Sequence, residues 1–135
     1  YACAQLSPVP GRMEQISISG VQSDGTRYTP FVIGSPGEPV RDVTISDICI
    51  RKTNEFRPGP FPAPVPECAD QYPTPFMFGS PDGGRRDLGD GLPAHGLYMR
   101  DVQSMLVRGL RVVSDKADGR RCVVQERCSR VETYE

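Results

Sequence analysis

The stretch VRDVTISDICI, residues 40–50, decides the fold. Its apolar side chains are spaced three, two, three and two residues apart, at Val40, Val43, Ile45, Ile48 and Ile50. An α-helix turns about 100° per residue and would scatter these side chains around its whole surface. A single straight strand requires a spacing of two throughout, and here the alternation slips twice. The pattern therefore predicts short β segments separated by corners.

The same spacing recurs along the chain. MEQISISGV (13–21), VQSMLVRGLRV (102–112) and, more weakly, CSRVET (128–133) carry apolar residues at matching offsets. A second short β segment precedes three copies: PFVIG (30–34), GLYMR (96–100) and CVVQE (122–126). The starts at 13, 40, 102 and 128 leave two nearly equal steps and one step that contains an insertion. A period of roughly 25 residues built from β segments predicts a solenoid.

Composition favours one kind of solenoid. Ile and Val dominate the repeated segments, and Gly, Pro, Asp and Ser interrupt them, which is typical of a parallel β-helix. We expect one domain over residues 1–135 with three to four coils. The inward residues should be Val43, Ile45, Ile48, Met105, Val107 and Leu110. An ordinary β-sandwich with similar strands is the alternative.

The insertion, residues 53–90, carries proline every few residues and cannot continue a central strand. We expect an extended loop against the flank of the solenoid. A loop of this length is either functional, as a lid is, or a cover over an apolar flank, and the sequence leaves both interpretations open.

Charge and hydropathy exclude some partners. The net charge is −1, so no basic field suggests a nucleic acid. No apolar run approaches the roughly 20 residues of a membrane span, and the first ten residues do not form a signal peptide. The cysteines lack a C-x-x-C pair and the chain has one histidine, so neither a metal site nor a cofactor is expected.

Five cysteines are many for 135 residues. A local disulfide between Cys122 and Cys128 is expected, and Cys49, predicted to point outward, is a candidate partner for Cys68. The alternative is a set of small buried thiols. Disulfides would place the protein in an oxidising compartment, extracellular or periplasmic.

Three segments carry a family resemblance: GSPGEPVRDVTISDICI, VPECADQYPTPFMFG and LPAHGLYMRDVQSMLVRGLRVVSDKADGRR. Together they resemble the C-terminal end of glycoside hydrolase family 28, the polygalacturonase-like enzymes. The match in order and spacing covers about residues 19–121. The resemblance implies a right-handed parallel β-helix that acts on pectin.

The chain also departs from that family. The family pattern suggests Tyr in place of His95 and His in place of Asp101, and GRRCVVQERC replaces a segment with R-P-A and an acidic pair. The upstream catalytic motifs of the family, N-T-D, D-D, G-H-G and R-I-K, are absent, and the flanks of AHG at 94–96 belong to the L-P-A-Y-G strand pattern. Inverting hydrolysis needs two placed carboxyl groups, so we expect no catalytic residue in this chain.

Two functions of different class remain. The chain is either the C-terminal part of a pectin glycosidase or a non-catalytic assembly module that keeps the fold. In the first case, Arg85, Arg86 and Arg100 would meet a carboxylate of an acidic polysaccharide such as galacturonan, and Tyr98 would stack on a sugar face. Exposed, solubilising charge is the alternative for each arginine. The first coil should dock on an N-terminal β-helix part or stack head-to-tail on another copy, which would build a filament.

Overall fold

The protein is all-β in the residues that the structure, a computed structural model, describes: 11–26, 29–35, 37–53, 92–115 and 117–134. These ranges contain seven strands and no helix. The strands are β1 (Glu14–Thr26), β2 (Phe31–Ile33), β3 (Val40–Lys52), β4 (Ala94–Arg100), β5 (Val102–Ser114), β6 (Arg121–Glu126) and β7 (Ser129–Tyr134).

The strands form two parallel sheets, each built from every second strand. One sheet has the order β1-β3-β5-β7 and the other the order β2-β4-β6. Every pair of neighbours in both sheets is parallel. This arrangement contradicts a sandwich of antiparallel hairpins and is compatible with a β-helix.

The register confirms the predicted repeat offsets. Val43 pairs with Ile16 on one side and Met105 on the other, and Met105 pairs with Val131. The short segments that precede the copies align as well, since Tyr98 lies between Phe31 in β2 and Val124 in β6. Equivalent residues of successive copies therefore stack, and we call each such set of stacked residues a rung.

The two slips in the apolar spacing are corners made by residues in the left-handed region. In β3 these are Asp42, at φ 53°, and Asp47, at φ 55°. Asp42 lies between two buried residues, Val40 and Val43. Because the left-handed residue bends the strand, side chains three residues apart face the same core, and the unusual spacing becomes regular in space.

The left-handed residues also stack. Arg41 and Val43 pair with residues of the strands on both sides, so Asp42 is level with the residue that lies between each pair of partners. The pairs around the second corner align its residues in the same way. The first corner rung contains Gln15, Asp42, Ser104 and Arg130, and the second contains Gly20, Asp47 and Gly109. A common corner conformation at one level keeps the strands in register beyond each bend.

The core lies between the two sheets. Five of the six residues predicted to point inward are buried, and Leu110 is partly buried against the same cluster. Leu97 and Met99 of β4 join this cluster from the opposite sheet. A smaller cluster of Leu92, Ala94 and Tyr98 forms on the other face of β4.

A β-branched residue placed at a corner should destabilise the fold more than the same residue placed at the position next to the corner. Ser104 has a φ of 65°, where L-residues other than Gly, Asn and Asp are strained. We expect Ser104→Val to lower the free energy of unfolding by roughly 1–2 kcal/mol more than Gln103→Val does. Urea denaturation measures the difference. Equal effects of the two substitutions would contradict the assigned corner, and Ser104→Gly should cost little.

Candidate functional site

A cluster of polar side chains lies where the chain leaves β3 for the insertion and returns in β4. We call it the loop-root cluster, and its members come from four parts of the chain. It comprises Thr29, Lys52, His95, Asp118 and Arg120. Thr53, the last described residue before the insertion, also donates its backbone N–H to Thr26, so the departure point is fixed.

Lys52 is the centre of the cluster. It continues the inward series of Ile48 and Ile50, and only 2% of its surface is exposed. Its Nζ donates to Thr29 Oγ1 at 3.0 Å and to the His95 carbonyl at 3.2 Å. Thr29 is also buried, and its hydroxyl continues the series of hydrogen bonds by donating to the Ala94 carbonyl at 2.8 Å. These bonds tie the end of β3 to the start of β4.

Asp118 and Arg120 close the cluster from the segment before β6. The guanidinium of Arg120 donates from Nε to Asp118 Oδ1 at 2.9 Å and from Nη2 to Oδ2 at 2.6 Å. Its Nη1 donates to the Leu92 carbonyl at 3.0 Å, at the point where the chain re-enters the described fold. Hydrogen bonds from Arg120 lower the pKa of Asp118 to about 2, which outweighs the opposing effect of burial.

His95 lies in a bulge of β4. Ala94 pairs with Arg121 and Leu97 with Val123, so two residues of β4 oppose the single residue Cys122. A Cβ on Gly96 would lie 2.6 Å from Cys122 Sγ and 2.7 Å from its carbonyl oxygen, so this position requires glycine. The Nδ1 of the His95 ring is buried and has no hydrogen-bond partner among the residues that the structure describes.

The buried position of His95 opposes protonation of its ring. Burial is the main cause of the lowered pKa of its imidazole, and Lys52 and Arg120 add to this effect. Asp118 acts in the opposite direction. The ring is therefore a weak base that faces two cations and one carboxylate.

Two of the predicted sugar-binding residues lie together but are enclosed. Tyr98 is 0% exposed and Arg100 is 1% exposed. The Tyr98 hydroxyl donates to Glu126 Oε2 at 2.5 Å, and burial, together with this bond, raises the pKa of the phenol. This burial gives no support to the expectation that Tyr98 stacks on a sugar face or that Arg100 pairs with a uronate carboxylate, and both stay predictions. Arg85 and Arg86 lie outside the described residues.

In this structure Cys122 and Cys128 are free thiols and are not joined by the expected disulfide. Cys122 lies near the start of β6 and Cys128 two residues beyond its end. At about 3.3 Å per residue, the strand alone carries the chain about 13 Å away from Cys122, beyond the ~7 Å that the Cα atoms of a disulfide span. The Cys128 thiol instead donates to the Glu126 carbonyl at 3.3 Å. Cys49 is also a free thiol, and Cys68 lies outside the described residues.

The contacts of the loop-root cluster are structural, because they join the two ends of the insertion to the core. Asp118 is held as a carboxylate, whereas a general acid needs a raised pKa. Among the residues described here, no group of three or more His, Cys, Asp or Glu is placed to hold a metal ion. The same part of the chain contains no helix long and apolar enough to cross a membrane.

The sequence reasoning missed the loop-root cluster. One signal was present, since Lys52 occupies the next inward position after Ile48 and Ile50, where a charged residue needs buried partners. Nothing in the pattern around Asp118 and Arg120 indicated that they would meet Leu92, which lies 28 positions before Arg120.

Comparison with family models, with curated proteins and with solved structures found no match for this chain. The resemblance to polygalacturonase-like enzymes therefore depends on the quoted sequence segments.

Removal of the Lys52 ammonium should destabilise the fold although the hydrophobic stem is kept. Lys52→Met would leave the buried His95 carbonyl and Thr29 hydroxyl without their donor, at a cost of about 1–3 kcal/mol in the free energy of unfolding. Arg51→Met is the matched control, because Arg51 is largely exposed and its ion pair with Asp115 is 3.8 Å long. Urea denaturation of both variants measures the costs, and equal costs would contradict the assigned role.

Stability should fall as the pH drops through the range in which His95 titrates. The folded state favours the neutral ring, so the folded pKa lies below the unfolded value of 6.5. As the pH falls below about 6.5, His95 is protonated in the unfolded chain before it is protonated in the folded protein. The free energy of unfolding therefore declines until the pH has passed the folded pKa of His95. His95 is the single histidine of the chain, so an NMR titration of its ring is unambiguous. His95→Gln should remove this decline, and an imidazole pKa at or above 6.5 would contradict the assignment.

Proposed function

We propose that this chain forms the C-terminal coils of a polygalacturonase-like pectin glycosidase and folds as a right-handed parallel β-helix. One observation carries the proposal: three successive copies of the repeat stack in register in both sheets, as the residue offsets require. Because β3 pairs directly with β5, the insertion between them leaves the stack uninterrupted.

The local structure of the quoted segments supports the same proposal. In GSPGEPV, residues 34–40, Ser35 and Glu38 exchange backbone hydrogen bonds of 3.2 and 3.0 Å, and Gly37 has a φ of 85°. This is a tight turn whose glycine adopts the conformation that favours it. The LPAHGLYMR segment contains β4, the middle strand of its sheet.

In this proposal the chain contributes binding rather than the chemical step. The carboxyl pair that hydrolyses the glycosidic bond would lie in an N-terminal part, on which the first coil docks. Arg85 and Arg86 remain the proposed contacts to the uronate carboxylates of the polysaccharide. An extracellular or periplasmic location follows from the substrate class alone, since the free thiols at Cys122 and Cys128 give it no support.

Polygalacturonate tests the proposal. We expect affinity electrophoresis to show that polygalacturonate retards the chain, that the neutral polymer galactan does not, and that salt weakens the interaction. The double substitution Arg85→Ala, Arg86→Ala should abolish the retardation, and Arg111→Ala, at an exposed arginine of β5, is the matched control. The chain alone should release no reducing ends.

Two results would overturn this proposal. One is equal retardation by the neutral and the acidic polymer, or by neither. The other is hydrolysis by the purified chain that disappears with Asp90→Asn, which would place a catalytic carboxyl in the insertion.

A second candidate function is a non-catalytic assembly module. It is supported by the outer strands of the larger sheet, because β1 pairs only with β3 and β7 only with β5 among the described residues. Such edges are templates for another strand. This candidate does not require any contact with a polysaccharide.

A further inference from the structure

The two open edges of the larger sheet carry the same pattern. On β1, Ile16 and Ile18 are half-buried and pack against the core. On β7, Val131 does the same at the other end of the stack. Among the described residues, the apolar side chains of both edges are therefore covered by the neighbouring strand on one side and by no strand on the other.

The register makes these edges equivalent positions of one repeat. Ile16, Val43, Met105 and Val131 form one rung. Since Glu14 pairs with Arg41 and Gln103 with Ser129, a second rung begins at Met13 and ends at Cys128. A strand placed beside β7 at the next level would need an inward residue opposite Cys128 and another opposite Val131. β1 of a second copy offers Met13 and Ile16 at those positions.

The corners agree as well. Arg130 of β7 is left-handed at φ 53°, and the equivalent residue of β1, Gln15, is left-handed at φ 58°. Two strands bent at the same level pair on both sides of the bend, whereas a straight strand would lose its partner there. An arbitrary strand does not meet this requirement, and β1 does.

Charge favours the same contact. Arg130 is exposed, and in the stacked register it would lie level with Gln15 of the second copy, next to Glu14. The neighbouring cation, Arg127, is occupied by Asp101, to which its Nε and Nη2 donate at 2.9 and 2.7 Å. Of these two arginines, Arg130 would therefore be the one free to approach Glu14 of the incoming strand, which is level with the adjacent Ser129.

We propose that β7 of one copy pairs in parallel with β1 of a second copy, so that Cys128 meets Met13, Val131 meets Ile16 and Tyr134 meets Ser19. The contact is head-to-tail, and each addition regenerates both edges, so it builds a linear stack. The inference rests on the second candidate function and adds to it the partner, the surface and the register. In a longer chain, upstream coils would cover the β1 edge instead.

Disulfide trapping tests the register. Met13 and Cys128 of one copy are three strand spacings of about 4.8 Å apart, which is too far for a disulfide within one molecule. In the proposed contact they are adjacent. Met13→Cys should therefore give disulfide-linked dimers and higher species under mild oxidation, with the 13–128 linkage identified by mass spectrometry of peptides. Adding Cys128→Ser should abolish them, and Ser17→Cys, which is displaced along β1 and points outward, should not give a link to Cys128.

Sedimentation velocity tests the surface independently of the thiols. The unmodified chain should sediment as species larger than 14.8 kDa at micromolar concentration under reducing conditions. Ile16→Lys should return it to a folded monomer, as judged by circular dichroism. Gln22→Lys adds the same charge to the same edge beyond the reach of β7 and should leave the assembly unchanged.

The outcomes separate the inference from the function on which it rests. Large species without a 13–128 link, or large species that survive Ile16→Lys, would overturn the proposed contact and leave the assembly function standing. A stable monomer under all conditions would overturn both. A 13–128 link formed together with retardation by polygalacturonate would support the contact without deciding against the glycosidase proposal.

Discussion

Stacking of equivalent residues in parallel strands is the constraint on which the other features depend. The side chains of a rung such as Ile16, Val43, Met105 and Val131 face one core only if every strand bends at the same level. The left-handed residues at the corners meet that condition, and they are non-glycine at Asp42, Asp47 and Ser104. Their strain, of order 1–2 kcal/mol each for ordinary L-residues, is offset by the side chains that the bend delivers to the core.

The same constraint explains how the chain carries a long insertion. Because β3 and β5 must lie side by side, the insertion has to begin and end near one place. Two hydrogen bonds stabilise that place. Lys52, at the end of β3, donates to the His95 carbonyl, and Arg120, before β6, donates to the Leu92 carbonyl. A buried ammonium is costly unless its donors are used, so the cluster couples the ends of the insertion to the integrity of the core.

Function is constrained by what the stack encloses and what it leaves open. Tyr98 and Arg100 are enclosed, so the glycosidase proposal assigns contact with the polysaccharide to Arg85 and Arg86 or to another part of a longer chain. The edges of β1 and β7, by contrast, remain available for pairing among the described residues. The glycosidase proposal and the assembly proposal thus draw on different surfaces, and one molecule can satisfy both.

The sequence by itself determined the repeat, its register and its inward residues. The apolar spacing of three and two depends only on residues close together in the chain, and it recurs in each copy. The sequence also predicted that Cys49 points away from the core that Ile48 and Ile50 face, and Cys49 is half-buried between these two buried residues. Tertiary structure alone decided the partners of residues far apart in the chain. Lys52 meets His95 only because two copies stack across the insertion, and the burial of Tyr98 and Arg100 is likewise a property of the folded chain alone. The separation of Cys122 from Cys128 depended on β6 being extended between them, and cysteine spacing carries no information about that distance.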